Sequence, residues 1–157
     1  MDADFCRARL TRQFDQAGVK PPKFLDDYLV GNADEKDLIV PTQFPLLDFI
    51  GAGTGKSSSP HSFRSLRIRD LIAKLQASYD IVLFDTPPVI PANDAVALSP
   101  FVNLRLFVIN AGRTSQKDIR RALLKIDSSH QALIGVILNQ MNHIDRGYEY
   151  YQRPKKK

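Results

Sequence analysis

The stretch IVLFDTPP, residues 81–88, sets four apolar residues in a row, ends them in a carboxylate and follows with two prolines. An unbroken apolar run predicts a strand buried on both faces, as in a parallel sheet covered by helices on each side. Ligands of such sheets gather outside the carboxyl ends of the strands, and Asp85 stands at that end. Pro87 and Pro88 lack N–H groups and have fixed φ. They predict a stiff, donor-poor loop that holds Asp85 and Thr86 in one geometry.

Outward from this stretch the pattern repeats. LRLFVIN (104–110) and ALIGVILN (132–139) are two further apolar runs, and they end in Asn110 and Asn139. Between them Ser115 to Ile126 has the apolar spacing of an amphipathic helix, and before them Ala92 to Leu98 has that of a short one, with Asp94 as its cap. Upstream, Phe63, Leu66, Ile68, Leu71, Ile72 and Leu75 recur at helical spacing, which predicts a helix opening at Ser59 and Pro60. Strand, helix, strand, helix, strand is the rhythm of a doubly wound, mostly parallel α/β domain. Further upstream, 37–42 and 46–53 read as short strands around Pro45, Phe24 to Leu29 as a helical turn closed by Gly31, and Phe5 to Phe14 as a helix ending near Gly18. There are no repeats. Residues 1–145 are expected to form one partial domain and 146–157 a mobile tail containing tyrosines and lysines.

Composition agrees with a single globular domain: 157 residues, 43% hydrophobic and 25% charged. One cysteine, Cys6, excludes a disulfide framework and suits a reducing compartment. No apolar run approaches the roughly 20 residues that span a bilayer. The net charge of +5 owes four charges to Arg153, Lys155, Lys156 and Lys157. Such an end reads as a solvated terminus or as a contact for anionic headgroups or nucleic acid.

Three places carry candidate chemistry. A carboxylate placed like Asp85 orders Mg²⁺, usually through water, in the Walker B arrangement; it can equally cap the turn that follows. Asp2 and Asp4 lie two apart, so on an extended segment both face one way and could converge on one cation; an acidic, frayed end is the other reading. IGAGTGKSSSP (50–60) imitates a phosphate loop, but the pattern requires its first glycine where Ile50 stands. Pro60 also moves the expected helix start past Lys56, whereas a phosphate loop opens directly into a helix N-terminus.

MDADFCRARL, FLDDYLVG, LDFIGAG, YDIVLFDTPPVIPANDA, VINAGRTSQKDIRRAL and LIGVILNQMN follow one another as in the cytoplasmic domain of bacterial tyrosine autokinases. Over residues 1 to about 142 the chain resembles these BY-kinases, regulators of capsule and exopolysaccharide chain length within the deviant-Walker P-loop ATPases. The resemblance implies ATP and Mg²⁺ as cofactors. It matches Asp2 and Asp4 to the A′ motif, which serves Mg²⁺ and activates the attacking tyrosine. Asp85 matches Walker B, with Asp85 and Asp2 as the metal carboxylates, and Asn139 the asparagine that contacts adenine. Tyr148, Tyr150 and Tyr151 match the C-terminal cluster phosphorylated between subunits. In the family the phosphate loop precedes A′, so the imitation at Gly53 to Ser57 is expected to be coincidental, and ATP and Mg²⁺ binding by this chain weak or absent. The resemblance further implies a membrane-embedded polysaccharide copolymerase as partner, a homo-oligomer, a place at the inner face of the plasma membrane and no nucleic acid. The alternatives are a non-catalytic module of a polysaccharide export complex and a ParA/MinD-type ATPase.

Overall fold

The computed structural model describes residues 1–53, 63, 65–127 and 133–141. The segment 54–62, with Lys56, and the tail, with Tyr148, Tyr150 and Tyr151, lie outside these residues. In chain order the elements are α1 (Arg9–Gln16), α2 (Leu25–Leu29), β1 (Val40–Pro41), β2 (Asp48–Phe49), α3 (Leu66–Ser78), α4 (Asp94–Leu98), β3 (Leu104–Asn110), α5 (Gln116–Asp127) and β4 (Leu133–Asn139). The 3₁₀ turns Glu35–Asp37 and Ser99–Phe101 lie between them.

The core is built around α3. Ile68, Leu71, Ile72 and Leu75 are buried and meet Leu25, Tyr28 and Leu29 of α2, Ala3, Ile50 and Leu98. The helical spacing read from the sequence is therefore the packing face, except at Leu66, which is exposed. The helix starts later than expected, because Ser65 is its N-cap and accepts the Ile68 N–H at 3.4 Å. Arg67 donates to the Tyr28 and Ala33 carbonyls at 2.7 and 3.1 Å and lies over the Tyr28 ring. Its guanidinium thus ties α3 to α2. Phe5 stacks on Phe63, and Phe14 on Phe49, which joins the N-terminal segment to this core.

Two sheets of two strands are present among the described residues. β1 and β2 form an antiparallel hairpin with Val40 opposite Phe49. β3 and β4 are parallel, in register from Leu104–Leu133 to Asn110–Asn139. The DTPP strand departs from expectation. Residues 81–84 form no ladder, and its one bridge pairs Asp85 with Asp2 in parallel. Nor is it buried on both faces: Val82 and Phe84 pack on the core, whereas Ile81 and Leu83 are 76% and 69% exposed. β3 is one-sided too, with Ile109 buried, Arg105 and Phe107 half-buried, and Leu104, Leu106 and Val108 exposed. A continuous apolar run records a strand built for cover on both faces. It does not say that the described residues supply both covers.

Candidate functional site

Three extended segments lie side by side at the start of the chain. The Asp2 N–H donates to the Ile50 carbonyl at 2.9 Å. On the other side the Asp85 N–H donates to Met1 and the Ala3 N–H to Asp85, at 3.0 and 2.7 Å. The Met1 nitrogen completes the pairing by donating to Leu83 at 2.8 Å. Backbone pairing between residues more than eighty apart in sequence therefore brings the Asp2/Asp4 pair beside Asp85.

The side chains divide the labour differently from what two-residue alternation predicts. Asp2 is fully buried. Its Oδ2 accepts the Thr11 N–H at 2.8 Å and the Thr11 hydroxyl at 2.7 Å, and its Oδ1 accepts the Asp4 N–H at 3.0 Å. An anion taken out of water needs such donors, and here they hold Asp2 inward against Thr11 and the Asp4 N–H. The Asp4 Oδ1 accepts the Cys6 and Arg7 N–H groups at 3.1 and 3.0 Å, capping the turn that leads into α1. Asp85 is exposed as a residue, although its carboxyl is partly desolvated. Its carboxyl is held above the ordinary range by burial first, then by the negative charges of Asp2 and Asp4. Asp94 is raised as well, by burial and then by Asp4. It is not the cap expected of it: Asn93 holds that position, Asp94 is the first residue of α4, and no side chain caps the helix.

Sequence reading overlooked Thr11 and Asp26. The Thr11 hydroxyl, besides donating to Asp2, accepts the Ala52 N–H at 2.9 Å. One hydroxyl thus couples the carboxylate to the glycine-rich segment 51–53. Asp26 is buried beside the same segment. Its N–H donates to the Ala52 carbonyl at 3.1 Å and its Oδ1 accepts the Asp27 N–H at 3.0 Å. Gly53 has φ +98, and a Cβ there would collide with the Asp26 carboxylate. A basic stretch RLTRQ and an acidic pair in LDDYL contain nothing that separates these two residues from surface positions. Their roles depend on neighbours far away in sequence.

Asn139 lies at the carboxyl end of β4, exposed, in register with Asn110 of β3. Its Oδ1 accepts the Gln140 N–H at 2.9 Å, and the Asn110 amide donates to the Gln140 Oε1 at 2.7 Å. Asn110 Oδ1 is buried without a donor. Two asparagines therefore edge the sheet where ligands of parallel sheets bind.

The described residues contain no cluster of three or more metal-ligating side chains. Mg²⁺ retains several waters and needs few carboxylates, so the oxygen donors Asp4 and Asp85 fit it. Among the described residues no helix is long and apolar enough to cross a membrane.

No family model matches the chain. It is 30% identical over 127 residues to the tyrosine-protein kinase wzc of Salmonella typhi, covering 81% of this chain and 18% of that one. To the tyrosine-protein kinase CpsD of Streptococcus agalactiae it is 26% identical over 151 residues, 96% of this chain and 65% of that one. The chain thus spans less than two thirds of these curated relatives. Among solved structures, the VpsO kinase domain matches with a TM-score of 0.78 and 25% identity, over 90% of this chain and 68% of that one. The septum site-determining protein MinD of Pyrococcus horikoshii, solved with Mg-ADP, shares the fold alone: TM-score 0.72 and 22% identity, over 92% of this chain and 58% of that one. The fold is that of the P-loop NTPase-like kinase domains, and by sequence the chain is similar to bacterial tyrosine kinases.

Proposed function

We propose that this chain is the carboxylate-bearing part of a protein-tyrosine kinase domain that transfers phosphoryl groups from ATP to tyrosine, in the control of exopolysaccharide or capsule synthesis. The observation that carries the reading is the parallel Asp2–Asp85 bridge, which sets the two acidic motifs of the resemblance side by side. In this reading Asp4 and Asp85 face the metal, and Asp2 organises them from inside through Thr11 and the Asp4 N–H. When bound, Mg²⁺ would neutralise charge on the transferring phosphoryl group. Asp4, whose Oδ2 is not used in the turn cap, would take the proton of an incoming tyrosine hydroxyl. Asn139, with Asn110 beside it, offers amide groups to a purine edge. Tyr148, Tyr150 and Tyr151 are the proposed acceptors. A partner in polysaccharide export, a homo-oligomer and a site at the inner face of the plasma membrane belong to the same proposal.

The test uses the complete polypeptide that carries this sequence, with Mg²⁺ and ATP, and maps phosphotyrosine by mass spectrometry. Asp85→Asn is expected to lower phosphorylation by about 10²-fold or more, the loss typical of one electrostatic partner of a transferring group. Undiminished phosphorylation in that variant removes Asp85 from the site. Nucleotide hydrolysis without any phosphotyrosine would favour a positioning ATPase instead.

A further inference from the structure

Lys125, in the last turn of α5, reaches across to the loop that leaves Asp85. Its Nζ donates to the carbonyls of Val89, Ile90 and Ala92 at 2.7, 3.1 and 3.3 Å. An ammonium has three N–H donors and no acceptor, which suits a group of converging carbonyls. The loop needs a donor from outside itself. Pro87, Pro88 and Pro91 contribute carbonyls but no N–H, which leaves more acceptors than the loop's own amides can serve. The Ala92 N–H already turns back on the Pro88 carbonyl. This loop begins at Asp85, the residue bridged to Asp2, and ends at Asp94, where α4 starts.

We infer that Lys125 is a positioning residue: its ammonium anchors residues 89–92 to α5 and thereby fixes where Asp85 stands against the Met1–Ala3 strand. Its value to catalysis rests on the kinase reading above; its geometry does not. A guanidinium is no substitute, because its donors lie in a flat fork that cannot point at three carbonyls converging on one point.

Hydrogen exchange and backbone amide spectra of Lys125→Met, Lys125→Arg and Lys125→Gln test this. In Lys125→Met, exchange across 86–98 is expected to rise by roughly tenfold or more as hydrogen bonds to a charged donor are lost. β3 should keep its protection, and the amide signals of Ala3 and Asp85, which share the bridge, should shift. Lys125→Arg should resemble Lys125→Met. If the methionine variant does not fold, Lys125→Gln, which keeps two donors, gives the same comparison at smaller amplitude. Unchanged exchange across 86–98 overturns the inference. So do changes confined to α5 with Ala3 and Asp85 unmoved, which would make Lys125 a local brace, and so does an arginine variant identical to the wild type. Mn²⁺ added to the wild-type protein is a separate arm. No broadening at Asp85, alongside a loosened loop and a shifted Ala3 in the variants, sinks the metal-centred reading and leaves the anchor standing.

Discussion

Thr11 shows how much one hydroxyl carries. It donates to the buried Asp2 carboxylate and accepts from the Ala52 N–H, so Thr11→Val leaves an anion and an amide each short of a partner. The expected loss is about 1–3 kcal/mol of stability, read from chemical denaturation; a loss below that range would mean that another donor reaches Asp2. Asp85 predicts an effect of the opposite sign. Its folded-state carboxyl is raised above the ordinary 3.8 by burial and by Asp2 and Asp4, so the charged form is penalised in the native state. That penalty is complete above the raised value and fades as the pH falls through it towards 3.8. Asp85→Asn should therefore melt at a higher temperature than the wild type at pH 7, with the gain shrinking towards pH 4. A variant less stable at pH 7 would show that Asp85 is held by contacts stronger than the repulsion around it. Under the proposed kinase reading, a residue that lowers stability while serving chemistry is the usual compromise of an active site.

At the scale of elements, the end of α3 is fastened to the hairpin. Tyr79, the residue that closes α3, donates its hydroxyl to Asp48 of β2 at 2.6 Å. This bond first, then burial, pushes the phenol up to about 12. The protonated phenol is the favoured form, so the contribution is complete below pH 10 and is lost as the pH rises from 10 to about 12. Tyr79→Phe should cost under about 1 kcal/mol at pH 8, because the pair is largely exposed. The difference from the wild type should vanish by pH 12, and a pH-independent difference would assign the effect to ring packing. Gly53 sets a second constraint between elements. Its left-handed φ and the Asp26 carboxylate against it forbid a side chain, so Gly53→Ala should destabilise by about 1–3 kcal/mol. A thermal melt that leaves this variant at the wild-type midpoint would refute the close approach of α2 to segment 51–53.

For the whole molecule, the telling feature is apolar surface left open. Leu104, Leu106 and Val108 on one face of the β3–β4 pair, and Val136 and Leu138 on the other, are each more than half exposed, and so are Ile81 and Leu83. Monomeric proteins seldom leave a row of apolar residues such as Leu104, Leu106 and Val108 uncovered along a strand. The isolated chain should therefore self-associate. Leu106→Thr with Val108→Thr should reduce that association in analytical ultracentrifugation while moving stability by no more than about 0.5 kcal/mol. Equal association in the double variant would place the sticky surface elsewhere.

The sequence by itself determined the helices, since the spacing of Ile68, Leu71, Ile72 and Leu75 is a local signal that α3 obeys. It also determined the two apolar strands that end in asparagine, and the placing of Asp85 after an apolar run. Periodicity and strand ends are properties of neighbours along the chain, and they survive without tertiary context. Tertiary structure alone decided that Asp2 turns inward, that Thr11 and Asp26 hold the 51–53 segment, and that Lys125 meets three carbonyls. It also decided that Ile81 and Leu83 face outward. Each of these depends on which distant backbone groups lack a donor or which surfaces find a cover. Those are balances of desolvation and hydrogen bonding struck between segments tens of residues apart, and no local pattern records them.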